Sequence, residues 1–173
     1  MYLGNFVKNI EKKYSKLNFS GLAFNSKHVK KNNIFFAIKG DKFDGNDYIN
    51  SAIKRGSKII ISEKKIKKKK ENIIFIYSAN VRKLLAETSY KILEKRPKKI
   101  VAVTGTNGKS SIADFYYQIL SLNLQKVASI GTIGIRYKGR KRPLNNTTLD
   151  PIKLSSILNV LKKKKNWICN LGS

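Results

Sequence analysis

Short apolar runs alternate with amphipathic stretches along the chain, and the alternation predicts most of its elements. Residues 33–38 (N-I-F-F-A-I) form an unbroken apolar run bounded by Lys-Asn and by Lys39-Gly40-Asp41, as expected of a buried strand. Residues 47–54 have helical spacing, with Tyr48, Ile49, Ala52 and Ile53 on one side, and Gly56 follows as the helix stop. Residues 58–62 and 73–77 read as further strands, separated by a charged tract, 63–72, that reads as a loop. Residues 81–94 predict a helix burying Leu84, Leu85, Thr88, Ile92 and Leu93. Arg96-Pro97-Lys98-Lys99 then breaks the pattern.

Beyond the break, 100–103 predicts a buried strand and 112–122 a helix. Residues 126–130 predict another strand, Gly131-Thr132-Ile133-Gly134 a turn, and 135–137 a hairpin arm. Asp150-Pro151 predicts a helix start, Asp as N-cap and Pro at the first helical position, with Ile152, Leu154, Ile157, Leu158 and Leu161 on its apolar side. Strands alternating with helices predict an α/β architecture. The break near Arg96 predicts two domains, residues 1–97 and 98–173. The second is too short for a complete doubly wound nucleotide-binding domain.

The chemistry concentrates in residues 101–111, V-A-V-T-G-T-N-G-K-S-S. A strand, a turn with two glycines, Lys-Ser and a helix together make a phosphate-binding loop. Gly105 and Gly108 let the backbone aim N–H groups at phosphate oxygens, and the helix N-terminus adds a positive field. Lys109 supplies a point charge, and the Ser110 hydroxyl suits Mg²⁺. Val103 stands where the strict pattern has its first glycine.

The formal net charge is +27, from 37 Lys plus Arg against 10 Asp plus Glu. Only six of the 37 are Arg, the residue suited to bidentate phosphate and base contacts. Lys, Asn and Ile all have A/T-rich codons, so base composition accounts for the charge without nucleic-acid binding. A basic field still attracts anionic nucleotides. No run reaches the roughly 20 apolar residues of a membrane span. The first residues carry no secretory signal, and the single Cys169 excludes an internal disulfide. The expected location is the cytoplasm, with no membrane association.

Three segments in order resemble the Mur ligases. The first begins at Leu22, L-A-F-N-S-K-H-V-K-K-N-N-I-F-F-A-I-K-G-D-K-F-D-G-N-D-Y-I, and is similar to the family's N-terminal signature. The second, T-G-T-N-G-K-S, is similar to its ATP loop, which also lacks the first glycine. The third, S-I-G-T-I-G-I … N-N-T-T-L-D-P, resembles the MurE type, which adds the third residue of the peptidoglycan stem peptide. The resemblance implies an N-terminal substrate-binding domain followed by part of a P-loop central domain. Its cofactors would be ATP and Mg²⁺, and its substrate UDP-N-acetylmuramoyl-L-alanyl-D-glutamate. By motif, Phe24, Ser26, Asp41, Lys42 and Phe43 match substrate contacts, as do Asn146, Thr147 and Thr148. Gly105, Thr106, Asn107, Gly108, Lys109, Ser110 and Ser111 match the ATP loop, with Lys109 catalytic and Ser110 on the metal. Asn25, Lys27 and Leu149 depart from the family's usual Asp, Arg and Pro. His28 reads as a surface residue.

Taken alone, Ser26 is also plain turn chemistry, 146–148 a helix-leading loop, and Phe24, Phe35, Phe36 and Phe43 core. The family continues with a strand, V-I-L-E-A-S-S-H, then a modified lysine and an amino-acid-binding domain. The resemblance therefore implies a fragment inactive by itself; the alternative is a non-enzymatic binder of nucleotide-sugar or nucleic acid. The last residues, C-N-L-G-S, have no family counterpart. One permitted coding, shifted by a base, reads Val-Ile-Leu-Glu-Ala. The expectation is a frameshift there, with Trp167 and Cys169 lacking a structural role, positions from Asn166 poorly packed, and apolar surface exposed around the phosphate-loop strand.

Overall fold

The computed structural model describes residues 1–7, 10–66, 72–92, 97–144, 149–163 and 168–172. Asn146, Thr147, Thr148, Leu93, Glu94, Asn166 and Trp167 lie outside the described residues. The chain divides into two compact units, Met1–Ile92 and Leu93–Ser173.

The first unit is built on a four-stranded parallel sheet in the order β1 (Gly21–Ala23), β2 (Asn33–Ala37), β3 (Ile59–Ser62), β4 (Ile74–Tyr77). Every residue of β2 is buried, because a central parallel strand is covered on both faces. On one face Phe35, Ala37 and Ile60 pack with Ala23, Val29 and with Ile49 and Ala52 of helix α1 (Ile49–Lys54). The helical run predicted from 47 begins instead as a tighter turn, Gly45–Tyr48, capped by Asp44. Gly56 ends α1 at φ +98°. Helix α2 (Val81–Lys91) buries Val81, Leu85, Thr88 and Ser89; the Asn80 side chain caps it by accepting from Lys83 N–H at 2.8 Å. Leu84 and Ile92, predicted buried, are only half-buried. Strand β1 is too short, at three residues, to leave a periodic signal.

The second unit has a five-stranded sheet, β5 (Lys99–Val103), β9 (Ile168–Gly172), β6 (Val127–Gly131), β7 (Gly134–Tyr137), β8 (Arg140–Arg142), in that spatial order. Helix α3 (Lys109–Leu122) follows β5, and α4 (Pro151–Lys163) precedes β9. Asp150 caps α4 as predicted, accepting from Lys153 N–H at 2.8 Å. Side chains alternate across the sheet. Ala128 and Ile130 of β6 and Ile135 of β7 cluster with Leu158 and Leu161 of α4. Ser129, of opposite parity, and its cross-strand partner Arg136 therefore lie on the other face, where α3 packs on β6.

Two expectations are settled here. Cys169 is expected to lack a structural role, but residues 168–172 form β9, paired in parallel on both sides with β5 and β6. Parallel pairing needs only extended backbone of matching length, and Ala102–Leu171–Ile130 run level across the three strands. Around the phosphate-loop strand, apolar surface is exposed: β5 is an edge, Ile100 is exposed, and α3 turns Ile112, Phe115, Ile119 and Leu122 to solvent.

Candidate nucleotide and substrate sites

In the second unit, β5 runs into an exposed turn, 104–108, that delivers the chain into α3. Gly105 (φ +150°) and Gly108 (φ +75°) both occupy conformations that side chains resist. An added Cβ at Gly108 would meet nothing within 4 Å, so backbone shape alone selects glycine there. Gly108 is the N-cap of α3 and no side chain caps the helix, which leaves its first N–H groups open to an anion. The Lys109 ammonium folds back over the turn, donating to the Gly105 carbonyl at 2.6 Å and the Thr106 carbonyl at 3.2 Å. These bonds hold the loop in shape and place the cation at its mouth. Thr106 and Asn107 are exposed, Ser110 is half-buried and Ser111 exposed.

Ser110 lines a depression with Ala113 and Asp114 of α3, Ser129 and Gly131 of β6, the turn Thr132-Ile133-Gly134, and Arg136 of β7. Asp114 accepts from Arg136 Nη1 and, at 2.6 Å, from Gln118 Nε2. The Arg136 guanidinium lies 4.5 Å from the centre of the Tyr117 ring. Gly134 (φ +103°) allows the hairpin to close, since a Cβ there would collide with the Arg142 carbonyl oxygen. No group of three or more metal-ligating side chains occurs among the described residues.

In the first unit, the predicted substrate residues collect beyond the carboxyl ends of β1 and β2, the usual ligand edge of a parallel sheet. Phe24 is 37% exposed and Phe43 69%, whereas Phe35 and Phe36 are fully buried. Ser26 is buried at the start of a tight turn, Ser26–His28, whose cap Asn25 accepts from Lys27 N–H at 2.9 Å. Asn25 thus caps this turn. His28 is exposed, as expected of a surface residue.

Asp41, Lys42 and Phe43 form the exposed tip of a tight loop. Gly40 N–H donates to the Phe43 carbonyl, and Gly45 N–H to that of Ile38, both at 2.9 Å. A Cβ on Gly45 would lie 2.6 Å from the Ile38 nitrogen, so only glycine fits. Asp44 anchors the loop. It accepts from Lys64 Nζ at 2.8 Å, from Asn46 N–H at 2.9 Å and from the Asn46 amide at 2.6 Å. Ser62 Oγ donates to Asn46 Oδ1 at 2.6 Å. The Lys64 bond, then the two from Asn46, hold the Asp44 carboxyl down at about 2 from 3.8. Neither Asp44 nor Lys64 was singled out from sequence: the Asp44-Gly45 pair is an ordinary turn signal, and Lys64 stands in a lysine run.

Comparison with known proteins decides the family. Residues 18–99 match the Mur ligase family, catalytic domain, and residues 103–173 the Mur ligase middle domain, so the last residues, expected to have no family counterpart, fall inside the match. The chain belongs to the Mur ligase family. A UDP-N-acetylmuramoyl-L-alanyl-D-glutamate–2,6-diaminopimelate ligase of Rickettsia felis is 41% identical over 156 residues, which cover 86% of this chain and 29% of that one. The Buchnera aphidicola protein of the same name is 33% identical over 169 residues, 92% and 33%. A solved ligase of that name superposes with a TM-score of 0.78 at 25% identity, covering 95% of this chain and 34% of the other. The MurF ligase of Thermotoga maritima, solved with ADP, shares the fold at TM-score 0.54 and 24% identity, over 87% and 31%. The chain spans about a third of the length of the curated relatives it matches. No described helix is long and apolar enough to cross a membrane.

Proposed function

We propose that this Mur ligase chain carries the UDP-sugar-binding and ATP-loop portions of a MurE-type ligase, which adds the third amino acid to UDP-N-acetylmuramoyl-L-alanyl-D-glutamate. The observation that carries the reading is the uncapped N-terminus of α3 beneath a two-glycine turn, with Lys109 at its mouth. Such a turn binds a polyphosphate through backbone N–H groups and one cation. ATP would lie there, and Ser110 would share Mg²⁺ with its phosphates.

In the ligation, ATP phosphorylates the substrate carboxylate and the incoming amine displaces phosphate. The residues present serve its first part: Lys109 and the loop N–H groups neutralise the phosphates, and the Asp41–Phe43 loop with Phe24 and Ser26 holds the uridine nucleotide. Phe24 and Phe43 suit this because an exposed ring offers a stacking face to a base.

Calorimetric titration with Mg-ATP and with UDP-N-acetylmuramoyl-dipeptide tests the reading, alongside a phosphate-release assay containing amino acid. Binding of both, with Lys109→Ala abolishing that of ATP, is expected. Tighter binding to single-stranded DNA that falls steeply with salt would replace this reading with a nucleic-acid one.

A further inference from the structure

Arg136 is an unusual residue for its place. Cross-strand pairing with Ser129 puts it on the face of the hairpin that α3 covers, where Val127, Ser129 and Tyr117 are all buried. An apolar side chain is the ordinary choice there. Instead a guanidinium stands on the Tyr117 ring and is neutralised by Asp114, the only acidic residue of α3. Both carboxylate oxygens of Asp114 are used, one by Arg136 and one by Gln118. Both side chains are only about a quarter exposed (29% for Arg136, 25% for Asp114). A largely desolvated pair of this kind adds little net stability, and its best-attested use is to fix the register of two elements.

The two elements are those that carry the site. Asp114 is one helical turn beyond Ser110, so it lies on the same side of α3. Arg136 is two residues beyond the turn Gly131–Gly134, whose Thr132 shares the depression with Ser110. The far side of that turn is already locked, because Gly134 is pressed against the Arg142 carbonyl. The pair is thus a polar link between the phosphate-loop helix and the hairpin.

We propose that Asp114 and Arg136 are positioning residues for nucleotide binding: their ion pair, stacked on Tyr117, sets the height of the phosphate loop against the Thr132 turn. This rests on the nucleotide reading of the loop. The test measures affinity for a fluorescent Mg-ATP analogue, and hydrogen exchange of the 105–111 amides, in the whole chain well below its melting temperature. Arg136→Gln should weaken nucleotide binding about tenfold and speed exchange of the loop by a similar factor. Arg136→Lys keeps the charge but loses the fork and the stacking, so it should recover only part of both. Asp114→Asn combined with Arg136→Gln should be no worse than Arg136→Gln alone. A merely structural pair would lower the melting temperature and leave loop exchange and affinity unmoved; that result, in folded Arg136→Gln or Arg136→Lys, overturns the proposal. If the unaltered chain binds no nucleotide, the functional reading fails. Loop exchange still decides: faster exchange at 105–111 in the variants supports positioning, and unchanged exchange sinks it.

Discussion

Gly45→Ala is the sharpest perturbation of the substrate loop. The added Cβ would lie 2.6 Å from the Ile38 nitrogen, 2.7 Å from its oxygen and 2.9 Å from the Ala37 carbonyl carbon. All three are backbone atoms at the end of β2, so no flexible side chain can give way. Strand β2 is pinned between β1 and β3, and the loop must move instead. Moving it stretches the Gly45–Ile38 hydrogen bond and pulls Asp44 from Lys64. Forcing a methyl group into such a contact costs about 2 kcal/mol. At 1.36 kcal/mol per decade this is roughly a thirtyfold increase in the opening equilibrium. Hydrogen exchange of the β2 amides reads the first unit alone, and it should accelerate by about that factor. Gly40→Ala is the contrast, since its Cβ would stand 3.3 Å from the Phe43 carbonyl oxygen, a contact that a small adjustment relieves. Equal exchange in Gly45→Ala and the unaltered chain would refute the steric argument.

Gly108→Ala has the opposite cause: open space but a φ of +75°, so the cost of about 1 kcal/mol is purely conformational. Exchange at 105–111 should rise while β2 is unaffected, as mass spectrometry of the two peptides will show. The Asp44 clasp should show in acid. Its pKa is lowered in the fold to about 2 from 3.8, so its contribution is complete above about pH 4 and is lost as pH falls through about 2. A pH series of loop exchange checks this, and Asp44→Asn should flatten it.

What was legible in the sequence was what is contiguous. The phosphate loop is one run of residues whose glycines and lysine each have a local backbone reason. Strands β2 and β3 were legible because burial on both faces leaves unbroken apolar runs such as N-I-F-F-A. Contacts made across the chain were not. Lys64 reaches Asp44 from 20 residues away, and nothing in a lysine run marks which member has a partner. Arg136 stands in a predicted hairpin arm, and only the register puts it under α3. The sequence I-C-N-L-G has no period, and β9 exists because β5 and β6 both need a neighbour. The four phenylalanines divided only in three dimensions, two into the core and two into solvent.

The place of β9 also sets an order of assembly. β5 and β6 are close in sequence, yet they never touch; each pairs with β9. During synthesis α3, β6, the β7–β8 hairpin and α4 all leave the ribosome before the strand that joins them. Until Ile168–Gly172 emerges, β5 has no partner among the described strands and β6 has one open edge, with the apolar face of α3 beside them. Such edges pair readily with other chains. The second unit therefore folds late and by long-range closure, a slow class of event. The first unit forms its sheet from strands that pair in the order they are made. Chaperone dependence during translation should accordingly belong to the half that carries the phosphate loop.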